Sequence, residues 1–204
     1  MKFQINNSVT DCPYIDDILF ALKNVDSKYA LYPYDKNVDG TDKCKYPERV
    51  FAYEFYHQYR RIMECKKECY CNLYLNGEQP KSSQIWKGLA TITPDLVLHG
   101  KINEADHSST TQKWLCEIKM NENLKLTDDL IKIKEKESVL LFQDYILLCV
   151  GITKDILISR IDKKELTTKN VDVRTICICV DYGEKMIISS DRLFELMKDN
   201  DSKK

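Results

Sequence analysis

The stretch TPDLVLHGKINEADHSSTTQKWLCEIKM, residues 93–120, carries two runs of β-formers around a polar, turn-rich middle. The first run is Pro94-Asp95-Leu96-Val97-Leu98-His99, and the second is Lys113-Trp114-Leu115-Cys116-Glu117-Ile118-Lys119. Gly100 to Gln112 separates them, so the pattern predicts a β-hairpin with a carboxylate on each arm. Side chains two apart on a strand share a face, which sets Lys119 beside Glu117, and pairing of the arms brings Asp95 near Glu117. Acids gathered on a half-buried sheet face are costly unless a cation neutralises them. Hard oxygen donors of this kind suit Mg²⁺, which takes one or two carboxylates and keeps several waters. The plainer alternative is a cross-strand ion pair on a solvated face, contributing about 0.2–1 kcal/mol. The apolar flanks Leu96-Val97-Leu98 and Trp114-Leu115-Cys116 argue instead for a partly buried face.

Upstream, Pro47 to Lys66 predicts a helix, with Pro47 and Glu48 suited to its start. Val50 or Phe51, Phe55, Tyr59 and Ile62 make its buried stripe, while Glu54, His57, Gln58 and Arg61 share a neighbouring face. Downstream, Asn121 to Lys125 reads as a connector, and Thr127-Asp128-Asp129 opens an amphipathic helix running to about Leu141. Tyr145 to Thr153, YILLCVGIT, is a continuous apolar run of strand length, expected to be a buried central strand parallel to a neighbour across that helix.

Pro94-Asp95 followed by Glu117-Ile118-Lys119, on strands, behind a helix carrying Glu54 and ahead of an amphipathic helix, resembles the signature of the PD-(D/E)XK nuclease superfamily. The resemblance covers roughly residues 47–150. It implies an α/β, restriction-endonuclease-like core: a central mixed β-sheet flanked by α-helices. It implies a Mg²⁺- or Mn²⁺-dependent nuclease that hydrolyses phosphodiester bonds of nucleic acid, with DNA as the substrate by family habit. Asp95, Glu117 and the Ile118 carbonyl would be the metal ligands, and Lys119 would orient the attacking water and steady developing charge. Glu54 would hold a second metal or a metal-bound water, and Lys132, in Asp129-Leu130-Ile131-Lys132, resembles a residue some members carry near the site. A nuclease-fold protein that binds or assembles without cutting is the rival. A phosphate-handling enzyme on small nucleotides is weaker, because no glycine-rich phosphate loop is visible.

The remaining segments fill out one domain, with a core over about 47–182, an N-terminal helix over 14–31 and a C-terminal helix over 190–198. Thr10 or Asp11 is a candidate cap for the first helix, and Ser189 or Ser190 for the last. Residues 32–46 read as a loop, and Glu68 to Leu75 as a strand followed by an Asn76-Gly77 turn. Gln84 to Ile92 and Ile156 to Ile161 read as short strands, Val173 to Asp181 as a longer one, and Asp162 to Asp172 as a polar connector. Lys198 to Lys204 is expected to fray.

At 204 residues, 43% hydrophobic and 31% charged, the chain has the balance of a globular domain rather than a disordered one. A net charge of −1 offers no bulk electrostatic attraction for nucleic acid, so any such surface must be local. No run is long and apolar enough for a membrane span, and the N-terminus lacks the apolar core of a secretion signal; a cytoplasmic protein is expected. Cys65, Cys69 and Cys71 form C-x₃-C-x-C, but no second pair answers them as a four-ligand zinc site would require. Reduced thiols are the expectation, with Cys116, Cys149, Cys177 and Cys179 as small core residues.

Overall fold

The computed structural model describes residues 3–30, 32–36, 42–45, 48–77, 94–100, 111–120, 126–135, 141–160, 171–182 and 185–201. The apolar run YILLCV lies in strand β7 (Asp144–Val150), buried at every position because both faces of it are covered. A strand without a polar face belongs in the middle of a sheet with layers on both sides, and β7 occupies that place. It runs parallel to β6 (Gln112–Met120) on one side and to β8 (Thr175–Tyr182) on the other. Beyond β6 come β5 (Leu96–Gly100) and the edge strand β4 (Leu73–Gly77), each antiparallel to its predecessor. Beyond β8 come β9 (Met186–Arg192), antiparallel, and the edge strand β1 (Phe3–Asn7), parallel to β9. The result is a seven-stranded mixed sheet in the order β1-β9-β8-β7-β6-β5-β4.

Helices flank both faces. On one side α1 (Ile15–Asn24) and α2 (Glu48–Cys65) bury Ile18, Leu22, Phe51, Phe55 and Tyr59 against Trp114, Ile118, Leu148 and Ile178. On the other, α3 (Leu126–Glu135), α4 (Lys154–Arg160) and α5 (Leu193–Asp201) send Leu130, Leu157, Leu193 and Met197 onto Leu147, Cys177 and Cys179. The seating of α2 is fixed by an aromatic chain. Trp114 packs edge-on against Tyr59 at 5.3 Å between ring centres, the Tyr59 and Tyr70 hydroxyls are 2.9 Å apart, and the Tyr70 hydroxyl donates to Asp17 at 2.7 Å. A buried polar chain satisfied end to end holds a helix in one rotation on its sheet. Among the described residues no helix is long and apolar enough to cross a membrane.

The architecture is the expected helix-flanked mixed sheet, but several elements differ. The first helix stops at Asn24, because Val25 is extended and the Asp26 side chain accepts from the Lys28 amide at 3.0 Å, starting a separate 3₁₀ turn over Ser27–Tyr29. Its N-cap is Tyr14, with no side-chain cap bond, rather than Thr10 or Asp11. The expected loop at 32–46 contains two strands, β2 (Tyr32–Lys36) and β3 (Asp42–Lys45), paired as a separate antiparallel ribbon. Residues 66–72 are turns rather than strand, with Asn72 in the left-handed region at φ 61°. Asn76 and Gly77 belong to β4 and pair with Val97 and Leu96 instead of forming a turn.

Lys154–Arg160 is helix α4, not a strand: Thr153 accepts the Leu157 amide at 3.1 Å and so opens a helical turn. Ser189 and Ser190 lie inside β9, between β8 and β1, and cap nothing. The last helix continues to Asp201. The expected strand at 84–92 lies outside the described residues, as do the polar middle of the hairpin over 101–110 and the end of the second amphipathic helix over 136–140.

Candidate functional site

Alternation along β6 sorts its side chains. Trp114, Cys116, Ile118 and Met120 enter the core under α1 and α2. Leu115 packs on the other face with Val97, Ile133, Phe142 and Tyr145. Glu117 and Lys119 follow Leu115 at the same period and share its face. Glu117 is nearly buried, at 8% exposure, beside Leu147; Lys119 is half-buried beside Cys149, with its Nζ 4.0 Å from Glu117 Oε2.

Asp95 stands where β5 begins. The ladder pairs Val97 with Leu115 and Leu96 with Cys116, so the next position outward sets Asp95 opposite Glu117. The Asp95 Oδ2 accepts the Ile118 amide N–H at 2.7 Å. The carboxylate thereby takes the place of a backbone acceptor at the strand end. In an extended strand the N–H and C=O of one residue project to the same side, so the Ile118 carbonyl also projects to the β5 side of β6. The buried Cys116 thiol records both acids: burial pushes it up most, and the charges of Asp95 and then Glu117 push it further. Asp95, Glu117, Ile118 and Lys119 thus form one cluster at the end of the β5–β6 pair.

Glu54 does not join it. Its carboxylate accepts from Gln58 at 2.6 Å and lies 3.4 Å from His57 Nδ1, on the polar strip of α2. The strip of α2 that faces Asp95 is a different one. Glu48, Arg49, Ala52, Tyr53 and Tyr56 line a cleft of about 610 Å³, closed by Gly77, Asp95 and Leu96. At 3.6 residues per turn that strip is centred roughly 160° around the axis from Glu54's. The Tyr56 hydroxyl donates to the Leu75 carbonyl at 3.2 Å and fixes this side of α2 on β4. Lys132 is an exposed residue of α3. Sequence reasoning used Glu48 only as a helix start and passed over Arg49, Tyr53 and Tyr56. Their shared strip, at spacings of three and four, was the available signal.

The donors fit a hard divalent cation in kind: two carboxylates and a carbonyl, all oxygen. They are few, and among the described residues no group of three or more His, Cys, Asp or Glu side chains converges as a metal site. Cys65, Cys69 and Cys71 are exposed thiols, whereas Cys12, Cys116, Cys149, Cys177 and Cys179 are buried. A second concavity, about 470 Å³, lies where β1, β8 and β9 meet the start of α4. There Lys154 pairs with Asp191 at 2.8 Å, and the Ser8 hydroxyl donates to the same carboxylate at 2.9 Å. Comparison of the chain with family models, with curated proteins and with solved structures yields no match.

Proposed function

We propose that the chain is a metal-dependent nuclease of restriction-endonuclease-like fold that hydrolyses phosphodiester bonds of DNA. The observation that carries this reading is the cluster itself. Asp95, one residue before the Leu96–Cys116 pair, is bonded to the Ile118 amide at 2.7 Å, and Lys119 Nζ lies 4.0 Å from Glu117. The succession α2, β4, β5, β6, α3, β7, with β7 parallel to β6, supports it by surrounding the cluster with the helices and parallel strand the resemblance implies.

Asp95, Glu117 and the Ile118 carbonyl would hold a Mg²⁺ or Mn²⁺ ion. When bound, such an ion supplies Lewis acidity at the phosphate and a water activated near neutral pH. Lys119, restrained by its partly buried stem beside Cys149, brings its ammonium within 4.0 Å of Glu117. It hydrogen-bonds the attacking water, orients it in line with the phosphorus, and steadies the negative charge that develops. Near-burial of Glu117 limits competing water and strengthens each of these electrostatic contacts. Glu54, held by Gln58, is left outside this arrangement.

The test is nicking of supercoiled plasmid and cutting of single-stranded DNA with Mg²⁺ or Mn²⁺, against an EDTA control. Cleavage that needs the metal and is lost in Asp95→Asn is expected; no cleavage of either DNA with either metal defeats the proposal. The rival reading, a nuclease-fold binding or assembly module, draws on the Lys119–Glu117 contact, which offsets the charge of Glu117 without a metal ion. It expects folded protein, no cleavage, and no change in stability with metal.

A further inference from the structure

Resting on the reading of Asp95 as part of a cleavage site, we infer that the cleft beside it seats an unpaired base, so that the substrate is single-stranded DNA rather than intact duplex. The cleft lies between α2 and the ends of β4 and β5, and Asp95 is the residue it shares with the carboxylate cluster. Asp95 lies at the end of the sheet, so an occupant of the cleft on the α2 face touches it there, while Glu117 and Lys119 stand on the opposite face of β6.

Its α2 wall is aromatic. Tyr53 and Tyr56 are one turn apart on the same strip. Tyr53 is 61% exposed, and Tyr56 is pinned by its hydroxyl to the Leu75 carbonyl. Ala52 and Gly77 contribute almost no side-chain bulk, which leaves the space open, and Leu96 gives it an apolar floor. Arg49 adds a planar cation of the kind that stacks on bases and pairs with phosphate. An open recess with two phenol rings and one guanidinium, and with Glu48 and Asp95 also in its lining, matches a nucleobase face better than a phosphate backbone.

Stacking offers what bulk charge does not. Binding to duplex without sequence readout draws almost wholly on Lys and Arg contacts to phosphate, and the chain carries a net −1. Base stacking on aromatic rings adds about 1–3 kcal/mol per base to whatever phosphate contacts are made. Stacking requires a base face, and in duplex DNA those faces are already covered by the neighbouring pairs. Only a single strand, a frayed end or an extruded base presents one.

The experiment uses the full chain with Ca²⁺ in place of Mg²⁺ to hold cleavage off. Fluorescence anisotropy compares a labelled thymidine oligonucleotide with a duplex of equal length, at low and moderate salt. The single strand is expected to bind more tightly at both salt concentrations. Tyr53→Ala, at an exposed position that folding does not need, is expected to weaken it roughly 5- to 150-fold, the worth of one stacked base. Tyr53→Phe keeps the ring and is expected to keep the affinity. Equal or tighter binding of duplex, or single-strand affinity unmoved by Tyr53→Ala, overturns the inference. The two readings fail separately: metal-dependent cutting of tightly bound duplex removes only this one. Tyr53-dependent binding of single strands with no cleavage under any metal removes the nuclease and leaves the base-binding cleft.

Discussion

Replacing Asp95 separates the charge of its carboxylate from its hydrogen bond. The Ile118 amide donates to Asp95 Oδ2 at 2.7 Å, and Ile118 is fully buried. Asp95→Asn retains an oxygen that accepts this bond and removes only the charge. Asp95→Ala removes both and strips a buried amide of its acceptor, at a cost of about 1–3 kcal/mol. For a chain of this length each kcal/mol lowers Tm by about 2–4 °C. In EDTA, Asp95→Ala should therefore melt about 2–12 °C below wild type. Asp95→Asn should melt close to wild type or above it, because Glu117 loses a like-charged neighbour. Metal reorders the series. An ion present at a hundredfold excess over its Kd stabilises the folded state by about 2.7 kcal/mol, or about 5–11 °C here, and should do so for wild type alone. Thermal melts in EDTA, Mg²⁺ and Mn²⁺ read every arm. Equal stabilisation of wild type and Asp95→Asn by Mn²⁺ would refute Asp95 as a ligand and the nuclease reading with it. An Asp95→Ala protein that melts with wild type in EDTA would show that the Ile118 bond contributes no stability.

Lys119→Ala should lower cleavage by about 10²–10⁴-fold while Mn²⁺ affinity, followed by calorimetric titration, stays equal or rises, since a competing positive charge has gone; a parallel loss of metal binding would count against its assigned role. Glu54→Gln should leave metal-dependent cleavage within a few-fold of wild type, because its carboxylate is engaged with Gln58 and His57 away from Asp95; a loss matching that of Asp95→Asn would return Glu54 to the site. Burial alone would raise the Asp172 carboxyl, but its bonds to the Arg174 side chain and amide and the Arg174 charge outweigh burial and hold it below the usual range. A lowered folded value gives stability that is present above the ordinary carboxylate pKa near ~4 and lost as pH falls through the lowered one. Asp172→Asn should therefore flatten the acid limb of a Tm-against-pH curve below about pH 4, and superimposable curves would exclude the linkage. A thiol reagent applied to native protein should modify Cys65, Cys69 and Cys71 ahead of the buried Cys12, Cys116, Cys149, Cys177 and Cys179, as peptide mass mapping would report; chelator-dependent protection of the first three would instead indicate a bound metal.

By itself the sequence determined the centre of the molecule: β5, β6 and β7, the helix before them and the helix after. Strong periodicity did this, because Trp114, Cys116 and Ile118 alternate with Leu115, Glu117 and Lys119, and Phe51, Phe55, Tyr59 and Ile62 repeat at helical spacing. The same alternation places Glu117 beside Lys119. The edges were decided elsewhere. Phe3–Asn7 is exposed throughout and becomes a strand only because β9 offers it a partner. Met186–Arg192 contains Ser189, Ser190 and Asp191, residues that begin helices when alone, yet here their backbone is claimed by strands on both sides. Ile156–Ile158 is too short an apolar run for period to distinguish strand from helix, and the Thr153 carbonyl settles it as helix. Glu54 and the cleft residues Arg49, Tyr53 and Tyr56 occupy one helix, and its sequence gives their angular separation but not its rotation on the sheet. That rotation comes from Tyr59, Tyr70 and Trp114, which meet only in the folded chain. Local pattern records which face of an element is buried; which neighbour buries it is a property of contacts between residues far apart in sequence.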